Sequence, residues 1–74
     1  MRSLTPPTAF GTTVLVGDFE GYLHWLDART GALVARRKVA KSPIVGQPVV
    51  SGQAIIVQTD DGHLIAYQLK DQDG

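Results

Sequence analysis

The sequence predicts an all-β chain built from two copies of one antiparallel unit, and three features predict it. Short runs of β-branched and aromatic residues recur between turns rich in glycine and aspartate. The second half of the chain matches the first at a constant offset of 41 residues, placing Gly62 on Gly21, Pro48 on Pro7, Gly52 on Gly11, Val57 on Val16 and Leu64 on Leu23. These identities fall at turn glycines and strand centres, where a repeat of structure needs them. A period of about 40–45 residues carrying four short strands is the signature of a β-propeller blade.

Each element follows in order. Pro6-Pro7 breaks any helix near the start and favours an extended or edge segment. Thr12–Val16 reads as a strand between Gly11 and Gly17, and Asp18-Phe19-Glu20-Gly21 as a hairpin in which Gly21 supplies a positive φ. Tyr22–Leu26 is the next strand. Asp27-Ala28-Arg29-Thr30-Gly31 is a turn, with Asp27 capping its own backbone and Gly31 in the left-handed position. Leu33–Val39 is a fourth strand whose Arg36-Arg37-Lys38 run suits an outer position. Helix competes for Leu33–Lys41 because Ala, Leu and Arg favour it, but the regular spacing of short strands on either side argues for strand.

After Lys41-Ser42-Pro43 the cycle restarts, with Ile44–Val50 extended, a turn at Ser51-Gly52, a strand at Ala54–Gln58, a hairpin at Asp60-Asp61-Gly62 and a strand at His63–Leu69. The division is thus 1–41, a complete four-stranded blade; 42–70, a partial, three-stranded last blade; and 71–74, a frayed polar tail. That is about one and three-quarter blades, whereas a ring normally needs four to eight. Blades bury their sheet faces only against neighbouring blades. The expectation is a C-terminal segment of a longer propeller, which on its own forms a homo-oligomer or swaps strands to cover its open edges.

Composition narrows the function. Seven basic residues balance seven acidic ones, so the basic excess typical of a nucleic-acid binder is missing. Cysteine is absent, which rules out disulfides and thiolate metal sites within these 74 residues. No apolar run approaches the roughly 20 residues of a membrane-spanning helix, and Met1–Pro7 lacks the apolar core of a signal peptide.

Candidate chemistry is sparse. Turns in a meander alternate between sheet ends, so Asp18, Glu20, Asp60 and Asp61 gather at one end together with the Lys41-Ser42-Pro43 link. Such a cluster could bind calcium or act in acid–base work, but its spacing fits no EF-hand loop, and hairpin carboxylates serve as solvated turn formers. His24 and His63 stand at different repeat positions and have no soft ligand at metal spacing. The basic run Arg36-Arg37-Lys38 with Lys41 could dock an acidic partner, though edge strands carry such charge to block pairing. Phe19, Tyr22, Trp25 and Tyr67 suit inter-blade packing. No nucleophile–base set, phosphate loop or HExxH pattern occurs, so no catalytic, cofactor-binding or metal-binding residue is assigned. The residues singled out are structural: Gly21, Gly31 and Gly62 with Asp27 for turns, and Leu23, Trp25 and Leu64 for packing.

The stretch Gly21–Gly31, GYLHWLDARTG, resembles the PQQ-type propeller repeat, with its pattern G-x-L-x-A-L-D-A-x-T-G. Within that group, Val16–Trp25 (VGDFEGYLHW) resembles the BamB family of outer-membrane assembly propellers. Leu4-Thr5-Pro6-Pro7, Val34-Ala35-Arg36, Lys38-Val39 and Asp60–Tyr67 resemble it as well. The resemblance implies PQQ-like repeats of an eight-bladed ring, and a non-catalytic scaffold in the machinery that folds and inserts outer-membrane β-barrels. It also implies binding to the POTRA domains of BamA, no cofactor, and a lipid-anchored parent at the periplasmic face of the outer membrane. The signal peptide, the lipidated cysteine and about six further blades are expected outside this chain. The alternative on the same repeat is the C-terminal portion of a PQQ-dependent quinoprotein dehydrogenase.

Overall fold

A computed structural model describes residues 4–68. The turn glycines and branched runs resolve into seven strands: β1 (Thr8–Phe10), β2 (Thr13–Gly17), β3 (Tyr22–Asp27), β4 (Leu33–Lys38), β5 (Ile44–Ser51), β6 (Ala54–Thr59) and β7 (Leu64–Gln68). They form two antiparallel sheets, one ordered β1-β2-β3-β4 and the other β5-β6-β7. Leu33–Lys38 is strand, so its helix-favouring side chains yield to pairing with β3. The tail expected to fray, 71–74, lies outside the described residues, as does Leu69 at the end of the seventh predicted strand.

The sheets repeat pair by pair at the offset seen in the sequence. Thr8 faces Leu15 and Val49 faces Ile56; Val14 faces Leu26 and Ile55 faces Tyr67; Gly17 faces Leu23 and Gln58 faces Leu64. The hairpins repeat too: Asp18 N donates to Tyr22 O at 3.0 Å, and Thr59 N to His63 O at 2.9 Å. Because side chains alternate across a strand, a shared register means that equivalent residues face the same way.

Register sets the core. Leu15, Gly17, Leu23 and Trp25 lie on one face of the first sheet, and Ile55, Val57, Ile65 and Tyr67 on one face of the second. These faces enclose a single apolar cluster in which Leu15, Leu23 and Ile55 are wholly inaccessible and Ala40 and Ile44 are buried. Trp25 meets Tyr67 edge-on, ring centroids 6.0 Å apart, joining β3 of one sheet to β7 of the other. Gly17 is small for a packing reason: a Cβ there would lie 2.5 Å from Ile44 Cγ2. Thr8 Oγ1 donates to Pro48 O at 2.5 Å and Gln47 Nε2 to Pro7 O at 2.9 Å, tying β1 and the residue before it to β5.

Two departures from the expected packing have physical causes. Leu64 occupies the register position of Leu23 but is 71% exposed, because the second sheet's outer face meets no further sheet among the described residues. Phe19, expected to pack between blades, is 56% exposed at the hairpin tip. A third feature escaped the sequence reading. The β5–β6 register shifts between Val45 and Val49 around Gly46, whose φ is +80°. An isolated glycine within a strand pattern is the usual sign of such a bulge.

Candidate functional site

The polar groups that could do chemistry collect at the hairpin end of the two sheets. At the β2–β3 hairpin, Asp18 Oδ1 accepts from Glu20 N at 2.8 Å and Tyr22 N at 3.0 Å, while its Oδ2 lies 2.7 Å from His24 Nε2. Burial tends to raise the Asp18 carboxyl, but the bonds from His24 and from the Tyr22 and Glu20 amides outweigh it and hold it below its ordinary 3.8. An ionised carboxylate only accepts hydrogen bonds, so His24 Nε2 is the donor. Asp18 is therefore a buried staple and not the solvated turn former its position suggests.

The β6–β7 hairpin builds the same staple from different atoms. Thr59 stands at the Asp18 position, buried, and its Oγ1 accepts from His63 N at 3.2 Å and donates to Asp61 Oδ1 at 2.5 Å. Asp61 also accepts from Ser42 Oγ at 3.0 Å and contacts His63 Nδ1 at 3.1 Å. The Thr59 hydroxyl, then His63 and Ser42, hold the exposed Asp61 carboxyl down at about 2. Both histidines thus sit on hairpin aspartates, a pairing that spacing alone did not indicate. Glu20 and Asp60 are exposed.

The remaining predicted residues are placed by local geometry. Asp27 Oδ1 accepts from Arg29 N at 2.7 Å and Thr30 N at 3.1 Å, and Gly31, at φ +79°, donates to Asp27 O at 2.7 Å. Gly21, at φ +88°, accepts at its carbonyl from both Val39 N (2.9 Å) and Ala40 N (3.1 Å). It fastens the link between the sheets, which Ile44 N completes by donating to Asp18 O at 3.1 Å. Gly62 has the same φ sign, +93°, with nothing within 4 Å of a built Cβ. Arg36 and Lys38, on the edge strand β4, each lie 5.3 Å from the Tyr22 ring centroid, and Lys38 Nζ donates to Glu20 O at 3.1 Å. That half of the basic run covers an aromatic ring.

A cleft of about 550 Å³ opens between the Lys38–Ser42 link and the β6–β7 hairpin, lined by Val39, Ala40, Thr59, Leu64 and Ile65 among others. Ser42, Asp61 and His63 line it too, and there the Ser42 and Thr59 hydroxyls and the His63 ring all meet the one Asp61 carboxylate. Among the described residues no three His, Cys, Asp or Glu side chains are grouped to hold a metal ion. The arrangement can fix hairpins and fasten one sheet to the next.

Comparison with known proteins gives this geometry a family. The profile for "Outer membrane protein assembly factor BamB" matches residues 2–73. The chain belongs to the BamB family. It is 45% identical over 64 residues to the BamB of Bordetella pertussis (86% of this chain, 17% of the relative). With the BamB of Xanthomonas campestris it shares 41% over 68 residues (92% and 17%), and with that of Escherichia coli K12 39% over 61 residues (82% and 16%). The chain therefore spans about one-sixth of the length of the curated BamB relatives it matches. The crystal structure of BamB from Moraxella catarrhalis superposes with a TM-score of 0.77 at 29% identity, covering 92% of this chain and 20% of that one. A computationally designed protein, Ika8, superposes with a TM-score of 0.71 at 16% identity over 90% of this chain and 21% of its own, a likeness of fold alone. The two sheets are β-propeller blades, as the period of the sequence predicts, and their repeats are PQQ-like, as the resemblance of Gly21–Gly31 implies.

Proposed function

We propose that the chain is a pair of consecutive blades, 1–41 and 42–70, in a non-catalytic scaffold that serves the folding and insertion of outer-membrane β-barrels. The supporting observation is how the titratable hairpin residues are used. Asp18 and Asp61 each take three hydrogen bonds from neighbouring backbone or side-chain groups, and both histidines are held on them. Groups so engaged hold the hairpin backbone and the link in place. The repeat residues serve the same end: Gly21, Gly31, Gly62 and Asp27 shape turns, and Leu23 and Trp25 pack one blade on the next.

In this reading the full-length parent is lipid-anchored at the periplasmic face of the outer membrane and binds the POTRA domains of BamA. A rigid ring recruits partners through loops and edges without reactive groups. The names of the relatives, outer membrane protein assembly factors, support it. The experiment is co-purification of the full-length parent with BamA POTRA domains, alongside an assay for alcohol- or sugar-dependent dye reduction with added PQQ and calcium. Retention of the POTRA domains without dye reduction is the expected result. Dye reduction without retention would overturn the proposal in favour of the quinoprotein dehydrogenase.

A further inference from the structure

Each sheet has one face turned away from the other sheet, and the repeat makes these two outer faces different. On the first sheet the outer face carries Ala9, Val14 and Leu26, and on the second Val49, Ile56 and Leu64. Shifted forward by one repeat, Val14 and Leu26 become Ile55 and Tyr67, on the face the second sheet presses on the first. Shifted back by one repeat, Ile56 and Leu64 become Leu15 and Leu23, on the face the first sheet presses on the second. The outer faces are thus the two halves of an interface this chain already makes with itself.

We propose that the 74-residue chain on its own binds a second copy head to tail, the Val49–Ile56–Leu64 face of one copy seating on the Ala9–Val14–Leu26 face of the next. The apolar exposure supports this: Val49 is 55% and Leu64 71% exposed, where Leu15 and Leu23 at the Ile56 and Leu64 positions are wholly buried. Contacts between unlike faces propagate, and they end only when the rotation closes a ring. The rotation is set by the sheet-to-sheet geometry, which follows that of the Moraxella BamB with a TM-score of 0.77 over 92% of this chain. That protein is about five times as long as the matched segment, or about eight repeat periods. With two sheets per copy, four copies close the ring. This inference stands independently of the outer-membrane role.

The test is light scattering after size exclusion on the 74-residue chain and on one-sided variants. Wild type is expected at four times 7.9 kDa, about 32 kDa, dissociating on dilution. Leu64→Glu disables one face and Leu26→Glu the other; Ala9→Glu, on the same face as Leu26 but exposed, serves if Leu26→Glu unfolds the chain. Each variant alone is expected to be a monomer, and an equimolar mixture of the two kinds to give a dimer of about 16 kDa and nothing larger. A wild-type monomer at millimolar concentration would overturn the proposal. So would a variant that dimerises with itself, the mark of a symmetric or strand-swapped contact, or a mixture that remains monomeric.

Discussion

Gly21 and Gly62 occupy the same repeat position with nearly the same backbone, φ +88° and +93°, yet their surroundings differ completely. Replacing either with alanine forces a side chain into left-handed backbone, at a cost of roughly 1–2 kcal/mol. At Gly62 the cost ends there, because a built Cβ meets nothing within 4 Å. At Gly21 the Cβ would press on the Ala40 carbonyl, lying 2.9 Å from its carbon, and 3.2 Å from Ser42 O. The link must then move, and the Val39 and Ala40 bonds to Gly21 O weaken or break. At about 0.5–1.5 kcal/mol for each bond, Gly21→Ala should cost about 2–5 kcal/mol in all. Urea unfolding of both variants at one protomer concentration measures the difference. With a slope of about 1 kcal/mol/M, the Gly21→Ala midpoint should fall about 1–3 M below that of Gly62→Ala. Equal midpoints would refute the claim that Gly21 fastens one sheet to the next.

Other predictions follow from the same contacts. Leu23→Ala, at a wholly buried site, should destabilise the chain by about 2–5 kcal/mol in chemical denaturation. Tyr67→Ala should lower stability and shift the emission of Trp25, the one tryptophan, because their rings touch across the two sheets. The Asp18 carboxyl is depressed in the folded state, so the stability it contributes is present above its unfolded value near 3.8 and is lost as the pH falls through the lower folded value. Acid unfolding of Asp18→Asn should accordingly be less steep below pH 3.8 than that of wild type. Thr59→Val removes the first of the hydroxyl bonds on Asp61, and carbon-detected NMR titration should show that carboxyl climbing from about 2 towards 3.8.

What could be read in advance was whatever a few neighbouring residues decide. The strands, the positive-φ turns at Gly21, Gly31 and Gly62, and the Asp27 cap depend on local sequence, and the repeat states that signal twice. The contacts that depend on folding were hidden. Asp18 looks like any hairpin aspartate until β3 brings His24 to within 2.7 Å, and Thr59 takes over its role without sharing its chemistry. Gly17 reads as the end of a strand, but its lack of a Cβ admits Ile44 from the other sheet. Leu64 matches Leu23 in sequence and register and differs only in what lies beyond it, which no local pattern records.

Interstrand NOE measurements show whether these residues form two successive blades related by a single repeat shift. Two such blades give contacts between Val14 and Leu26 matched by contacts between Ile55 and Tyr67, extended-strand shifts over Leu33–Lys38, and NOEs from Gly17 to the Ile44 side chain. Helical shifts over Leu33–Lys38, or a register that differs between the two hairpins, would contradict that arrangement.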